Sequence, residues 1–255
     1  MDYLNYAQKV QQKPQGFGQQ KVQLTKDDFS FCDLNQQIPQ SQVEPQKDEL
    51  MQLFPTPVLI CPCPFEYDEE LEWINKQPTR KENKNVGTGE VYNRQSEDTF
   101  LLDKPELSRV RQFIDSKLKE FVVNIMGSDS EMVITQSWLN KSGKGESHHE
   151  HKHPNSMISG VWYPQIHEKM PPIQFRIGQQ RDVSLSIKEF NYFNSATFLL
   201  PMKMGELILF PSNLQHSVPA NQSDEERISL SFNTWAKGSL GNDKSLSYLP
   251  FDKLM

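Results

Sequence analysis

The sequence predicts an α+β fold that is mainly β, in which helices come first and an antiparallel sandwich or barrel follows. Before Gly127, apolar residues recur every three to four positions over one long stretch, which is typical of a helix. After Gly127 the pattern changes to short strand-like segments separated by turn residues. This segregation, together with the lack of a glycine-rich phosphate loop, argues against an alternating βαβ nucleotide-binding fold.

The first 52 residues differ in composition from the rest of the chain. They are rich in Gln, interrupted by prolines and poor in periodic apolar residues, so they cannot easily offset the entropy of ordering. We therefore predict a flexible Gln-rich N-terminal arm at 1–52 and a single folded domain at 53–255. A partner-binding strip around Phe29, Phe31 and Leu34 is the functional alternative for the arm.

Charge and cysteine content limit the partners and the compartment. A net charge of -6 and a pI near 5.6 predict no general nucleic-acid binding. The start of the chain lacks a basic and apolar leader, and no run of about 18 apolar residues occurs, so no membrane association is expected. Three cysteines, Cys32, Cys61 and Cys63, cannot form a closed set of pairs. A reducing compartment fits best, and we expect a cytoplasmic protein.

The elements of the domain follow in order. A short apolar run between prolines near Val58 predicts an edge strand, which could support a homodimer. Residues 68–75 predict a short helix, 87–97 a polar loop, and 105–127 the longest helix, whose apolar stripe should pack on a sheet. Strands are predicted at 132–140, 157–163, 173–177, 205–210 and 227–235.

Four of the six histidines fall within six positions of the segment E-S-H-H-E-H-K-H-P-N-S. Neutral imidazole is a ligand for Fe, Zn, Cu and Ni, and an H-x-H pair on an extended chain projects both rings to one side. The cluster therefore predicts a metal site, and a solvated loop or an adventitious metal site is the alternative. Its members are His148, His149, His151 and His153, with Glu150 among them.

A fifth histidine, His216, follows the predicted strand 205–210. A β-sandwich can bring such a residue opposite the cluster, although alone it would more often be an ordinary turn histidine. Three ligands from two strand ends would leave coordination positions open, as a metal that activates oxygen or water requires.

The segment R-I-S-L-S-F-N-T-W alternates polar and apolar residues, which predicts a half-buried strand. Arg227 and Ser229 share its polar face. Arg227 can point into a barrel and hold a carboxylate through its planar guanidinium, with the hydroxyl of Ser229 beside it. The alternative is a surface ion pair between Arg227 and Glu225 or Glu226.

The order H-x-H-P-N-S-x-x-S-G-x-x-Y, then G-E-L-I-L-F-P-S-x-x-x-H-S-V-P, then R-I-S-x-S-F-N-x-W resembles a poorly characterised bacterial and phage branch of the Fe(II)/2-oxoglutarate-dependent oxygenases. The resemblance covers about residues 53–249. It implies a double-stranded β-helix (jelly roll) with supporting N-terminal helices. It also implies Fe(II) and 2-oxoglutarate as cofactors, and molecular oxygen and an unknown primary substrate as partners. The implied reaction is decarboxylation of 2-oxoglutarate coupled to oxidation of a C–H bond, most often a hydroxylation.

By position, the resemblance makes His151 and His153 the proximal metal ligands and His216 the distal one. It makes Arg227 and Ser229 the groups that hold the far carboxylate of 2-oxoglutarate. Most of the superfamily has H-x-D or H-x-E where this chain has H-x-H, so a three-histidine site is implied. A shifted register that uses His149 and His151, or a site that recruits Glu150, stays open.

Three further residues are candidates to contact the cosubstrate or the substrate, with simple packing as the alternative: Asn140, Trp162 and Tyr163. Two other functions also stay open. One is a cupin-type three-histidine metalloenzyme that does not use 2-oxoglutarate, and the other is a non-catalytic binding module that a metal merely braces. Residues 80–96 and 178–194 are candidate loops over the site, and they carry no motif that identifies a substrate.

Overall fold

The structure, a computed structural model, describes residues 54–80, 89, 91–178, 185–191 and 193–251. The predicted N-terminal arm, with Cys32 and the strip around Phe29, lies outside the described residues. So do parts of the two candidate loops, at 81–88, 90, 179–184 and 192.

Two α-helices precede most of the sheet. Helix α1 is Asp68–Asn75, which confirms the predicted short helix, and α2 is Ser108–Glu120. Two 3-10 turns at Leu101–Asp103 and Pro105–Leu107 lead into α2, and a π-helical turn at Phe121–Ile125 ends it. The long helix predicted from the apolar spacing is therefore present, with a different helical geometry at each end. None of the helices in the described residues is long and apolar enough to cross a membrane.

Eleven strands of the described chain form two sheets. The first sheet has the order β1-β9-β6-β11-β4-β3 and the second the order β2-β5-β10-β7-β8. The strands are β1 (Leu59–Pro62), β2 (Val91–Tyr92), β3 (Arg94–Gln95), β4 (Met132–Ser142), β5 (Glu146–His151), β6 (Ile158–Gln165), β7 (Ile173–Arg176), β8 (Thr197–Leu200), β9 (Glu206–Pro211), β10 (Gln215–Val218) and β11 (Arg227–Ala236).

The five predicted strands are confirmed as β4, β6, β7, β9 and β11, with ends that differ by one or two residues. The polar loop predicted at 87–97 was wrong in part, because this stretch contains β2 and β3. Three strands were missed: β5, β8 and β10. β5 is a run of E-S-H-H-E-H, and β8 and β10 have four residues each, so none shows the apolar pattern of a strand.

The six-stranded sheet separates two apolar clusters. Its outer face packs on α1 and α2 through side chains such as Leu230 and Phe232 of β11. Its inner face packs on the second sheet, where Tyr163 of β6 shares a cluster with Phe175 of β7. Because side chains alternate along β6, Trp162 lies on the outer face, where it has the packing role that was the alternative to a contact in the pocket. Its Nε1–H donates instead to the carbonyl of Gly205, 3.2 Å away.

β1 forms an edge of the six-stranded sheet. Within the described residues it pairs only with β9, in antiparallel register, and the predicted edge strand is confirmed. The homodimer suggested by this edge stays a prediction.

Gly160 makes close packing on the outer face possible. A Cβ at this position would overlap the ring of Phe232 and come within 2.8 Å of Leu209 Cδ2. We expect Gly160→Ala to lower the free energy of unfolding by about 1–3 kcal/mol or more, because overpacking forces neighbouring side chains out of their rotamers. Denaturant unfolding measures this loss.

The matched control for Gly160→Ala is Gly178→Ala, where an added Cβ meets nothing within 4 Å. Combining Gly160→Ala with Phe232→Leu should cost less than the sum of the two single changes, since the two side chains compete for one space. Full additivity would show that the close approach at Gly160 is not what limits packing here.

Candidate metal centre

Strands β5 and β10 bring the histidines together. They are antiparallel neighbours, with His151 opposite His216 and His148 opposite Val218. Three residue steps on β5 therefore match two on β10, which is a β-bulge in β5. The bulge explains why the rings of His148 and His151 stack, with centroids 4.4 Å apart, although an odd spacing on a regular strand would separate them.

His151, His153 and His216 form one group whose ligand atoms all lie within 4.8 Å of one another. The Nε2 atoms of His153 and His216 are 3.2 Å apart. Two nitrogens that each lie about 2.1 Å from one metal ion, at roughly a right angle, are separated by about 3 Å. The donor set and its spacing therefore fit a single metal ion.

Two of these rings have their tautomer fixed by the backbone. Nδ1–H of His151 donates to the carbonyl of His149 at 2.8 Å, and Nδ1–H of His216 donates to the carbonyl of Leu214 at 2.9 Å. A carbonyl only accepts, so each Nδ1 carries the proton and each Nε2 keeps its lone pair. Such second hydrogen bonds orient histidine ligands in metal sites. The backbone of β5 and of the turn before β10 thus presents two rings as ligands.

Burial keeps the cluster neutral. It lowers the pKa of His153 to about 3 and that of His216 to about 4, and the neighbouring imidazoles act in the same direction. The pKa of His151 is also lowered, again mainly by burial. Metal ligation requires neutral imidazole, so the rings are in the correct protonation state at neutral pH.

These shifts predict acid sensitivity in the metal-free protein. In the unfolded chain His153 and His216 protonate near their ordinary pKa of about 6.5, whereas in the folded chain they stay neutral to about pH 4 or lower. The unfolded state thus binds more protons in this window, and stability falls as pH falls from about 7 to about 4. The loss should reach up to about 1.4 kcal/mol per pH unit for each group.

Chemical denaturation of the chelator-treated protein at pH 7, 6 and 5 measures this effect. The double variant His153→Gln/His216→Gln should lose less stability over this range than the parent. His149→Gln, which changes an exposed ring, is the control. An equal pH slope in the parent and the double variant would contradict the burial of neutral rings.

The alternative registers do not fit this geometry. His149 is exposed and lies against Tyr92, with ring centroids 5.2 Å apart. Glu150 is also exposed, and its carboxylate accepts hydrogen bonds from Arg176 and from Gln215. Neither belongs to the group that could hold a metal. His148 stacks on His151 outside this group, and burial holds its pKa well below the ordinary value.

Arg227 lies on the inner face at the start of β11. It is 2% exposed, and its guanidinium carbon is 5.2 Å from the centre of the Tyr163 ring. The predicted alternative of a surface ion pair is wrong: Glu226 pairs with Arg94, and Glu225 lies near His167. Arg227 forms no salt bridge with any described carboxylate, and its Nε has no hydrogen-bond partner in the described part of the chain.

Tyr163, beside Arg227, is also buried and also has a polar atom without a hydrogen-bond partner in the described residues. The ring is fully buried, burial raises the pKa of its hydroxyl to about 12, and that hydroxyl has no hydrogen-bond partner among the described residues. Burial also lowers the pKa of Arg227, because charge is costly away from water. The two groups lower each other's cost of burial, but no described carboxylate balances the charge of Arg227, so an anionic ligand would be stabilised here.

The other two predicted cosubstrate contacts, Asn140 and Ser229, also lie here. They are buried and face each other across β4 and β11. The amide of Asn140 is tied into the protein, since its Oδ1 accepts from Asn93 at 2.8 Å and its Nδ2 donates to Ser231 Oγ at 2.9 Å. Asn140 therefore positions neighbouring strands, and one amide hydrogen is left for a ligand.

Trp138 is a residue of this face that the sequence argument missed. Its ring centroid is 5.9 Å from that of His153, and its Nε1 is buried without a hydrogen-bond partner in the described residues. The signal was available: Trp138 stands two residues before Asn140 on one strand, so both project to the same side.

Comparison with known proteins agrees with this geometry. Residues 136–233 match the family model described as "Putative 2OG-Fe(II) oxygenase". This confirms the family and the enzyme class that the three-part motif predicted, and the description names the two predicted cofactors, Fe(II) and 2-oxoglutarate. Among curated proteins, no sequence matches the chain.

Solved structures share the fold at low identity. An oxidoreductase of the 2OG-Fe(II) oxygenase family from Burkholderia pseudomallei is 15% identical, with a TM-score of 0.50, and the match covers 69% of this chain and 84% of that chain. The non-heme alpha ketoglutarate dependent epimerase SnoN from nogalamycin biosynthesis is 11% identical, with a TM-score of 0.53 and coverages of 73% and 82%. HygX from Streptomyces hygroscopicus, with nickel, 2-oxoglutarate and hygromycin B bound, is 12% identical, with a TM-score of 0.50 and coverages of 71% and 84%.

These similarities confirm the predicted double-stranded β-helix, and the family model covers the strands that carry most of the inner face. Residues 136–233 thus carry the sequence similarity to the 2OG-Fe(II) oxygenases, and the fold of the domain is similar to theirs.

Proposed function

We propose that this protein is an Fe(II)- and 2-oxoglutarate-dependent dioxygenase that couples decarboxylation of 2-oxoglutarate to oxidation of a C–H bond in a second substrate, most often as a hydroxylase. The observation that carries the proposal is the buried guanidinium of Arg227, which has no salt bridge with a described carboxylate and lies close enough to the histidine cluster to lower the pKa of His148. Molecular oxygen and an unassigned primary substrate are the remaining reactants.

His151, His153 and His216 would hold the iron. Three ligands on one side of the ion leave positions open for exchangeable groups, as in other non-heme iron oxygenases. When bound, Fe(II) supplies the redox chemistry with oxygen that side chains lack. The chain supplies the positions of the three nitrogens, the neutral state of the rings and a largely buried environment.

Arg227 would bind the distal carboxylate of 2-oxoglutarate. A guanidinium matches a carboxylate in a planar, two-bond geometry, and inside a protein such a charge-assisted pair is strong. Tyr163 supplies a hydroxyl next to the guanidinium, and Ser229 a second one two residues along β11. The uncompensated cost of burying Arg227 is then offset only when the dianion is present.

The cupin-type alternative lacks a comparable observation. A three-histidine enzyme that does not use 2-oxoglutarate needs the metal ligands but not a buried cation beside them. A module merely braced by metal would likewise gain nothing from an unpaired arginine, which costs stability. The placement of Arg227 thus favours the oxygenase.

Metal binding can be tested without the cosubstrate. Removal of one neutral nitrogen donor should weaken binding of Co(II), a spectroscopic substitute for Fe(II). His216→Ala and His151→Ala should therefore each raise the dissociation constant of Co(II) at least tenfold. Arg227→Met and His149→Ala should bind Co(II) as the parent does. Visible absorption of the Co(II) protein measures this, and unchanged binding by His216→Ala would remove that residue from the ligand set.

Binding of the cosubstrate is tested in a separate titration. Anaerobic parent protein loaded with Fe(II) should develop a weak visible charge-transfer band when 2-oxoglutarate is added. Arg227→Met should need far more 2-oxoglutarate, since loss of a buried charge partner costs about 2–5 kcal/mol, or roughly 30-fold to 4000-fold in the dissociation constant.

The control for this titration is Arg176→Met, which removes an arginine of the same sheet pair that is already paired with Glu150 at the surface. Iron binding without any band at saturating 2-oxoglutarate would reject the proposed cofactor. If the band does form, the next measurement is oxygen-dependent release of succinate from 2-oxoglutarate.

A further inference from the structure

Trp138 carries a buried donor that has no hydrogen-bond partner in the described residues and that the proposed function leaves unused. Within the described residues, three buried polar atoms lack a hydrogen-bond partner: Trp138 Nε1, Tyr163 Oη and Arg227 Nε. The last two belong to the proposed site of the distal carboxylate. Trp138 is separate from them, because it lies beside the metal ligand His153.

The register of β11 places these groups along one line. Ser231 is opposite Trp138, and Arg227 is opposite Ser142, four residues farther along both strands. At about 3.3 Å per residue, the two backbone positions are roughly 13 Å apart on the same face. Trp138 therefore lies at the metal end of the inner face, and Arg227 lies at the other end.

Within the described residues the side chains around Trp138 offer its N–H no acceptor. The cross-strand neighbour Ser231 accepts a hydrogen bond from Asn140 and none from the indole. The free nitrogen lone pairs of His151 and His216 point into the metal group. An indole N–H only donates, and buried donors are almost always paired. A ligand bound at this end of the space can supply the missing acceptor.

We propose that the Nε1–H of Trp138 donates a hydrogen bond to the keto-acid carboxylate of 2-oxoglutarate, the carboxylate at the metal end of the molecule. This inference rests on the proposed function. The cosubstrate is then held at both ends by the chain itself, with Arg227 and Tyr163 at the distal carboxylate and Trp138 at the other. Trp138 is a binding residue for the keto-acid group, whatever the primary substrate is.

Two acids separate the two ends in an experiment. 2-Oxoglutarate has both carboxylates, and pyruvate has only the keto-acid end. In anaerobic Fe(II) protein, Trp138→Phe keeps the aromatic ring against His153 and removes the N–H. It should raise the dissociation constants of 2-oxoglutarate and pyruvate by the same factor, about tenfold to a hundredfold for a hydrogen bond to a charged group.

Two further variants complete this titration. Arg227→Met should raise the dissociation constant of 2-oxoglutarate and leave that of pyruvate unchanged. Trp162→Phe removes an indole N–H on the opposite face of the sheet. It should leave the dissociation constants of both acids unchanged. If Trp138→Phe binds 2-oxoglutarate as tightly as the parent, the inference about Trp138 is overturned. If the parent itself does not bind 2-oxoglutarate, the proposed function fails instead.

A second measurement observes Trp138 in the parent protein and so does not require that Trp138→Phe folds. The chain has four tryptophans, so ¹⁵N-tryptophan labelling gives four indole N–H signals. With Zn(II) in place of Fe(II), addition of 2-oxoglutarate should move the Trp138 signal downfield and slow its exchange with water. An unmoved Trp138 signal in protein saturated with 2-oxoglutarate would overturn the inference. Trp73→Phe, Trp162→Phe and Trp235→Phe assign the signals by elimination.

Discussion

The alternation of side chains along β11 is the constraint on which the rest of the structure depends. β11 pairs with β4 on one side and β6 on the other, so its register decides which residues of all three strands face the helices. Ile228, Leu230 and Phe232 lie in the helix-side cluster, and Arg227 and Ser229 point the other way. A slip of one residue would exchange the faces. Burial of the apolar face therefore holds the polar face in register.

The guanidinium of Arg227 on this face gives the space beside the three neutral imidazoles a positive charge. The acidic residues nearby in the sequence are paired elsewhere. Glu150 is bonded to Arg176 on the surface, and Glu226 is paired with Arg94. A divalent cation at the proposed metal site would add to this charge, which favours an anionic ligand. This preference follows from charge and burial, independently of sequence similarity.

Much of this arrangement could be predicted from local pattern. Periodic apolar residues fixed the two helices and five strands, and the alternation around Arg227 indicated a residue with one buried side. The histidine spacing indicated a metal site, and the family resemblance indicated which three histidines belong to it. The structure brings those three together, as that resemblance implied.

The remainder depends on long-range contacts that local pattern does not contain. The bulge in β5 exists because β5 pairs with β10, more than sixty residues later, and it brings His148 onto the face of His151. Trp138 and Trp162 have similar strand contexts, yet one faces the metal ligands and the other faces the helices. Their difference is set by register with β11, and β11 lies about seventy residues or more along the chain from both.

His153 stands where most of the superfamily that this chain resembles has a carboxylate ligand, and in the proposed site this difference has an electrostatic consequence. A carboxylate ligand would cancel one unit of the charge of Fe(II), whereas a neutral imidazole cancels none. With Arg227 nearby, the positive charge that faces a bound dianion is one unit larger than in a site with a carboxylate ligand. Trp138 and Tyr163 add hydrogen-bond donors to this space. In the proposed site a neutral ligand thus takes the place of an anionic one among several hydrogen-bond donors, so the cosubstrate itself would become the main source of negative charge at the metal.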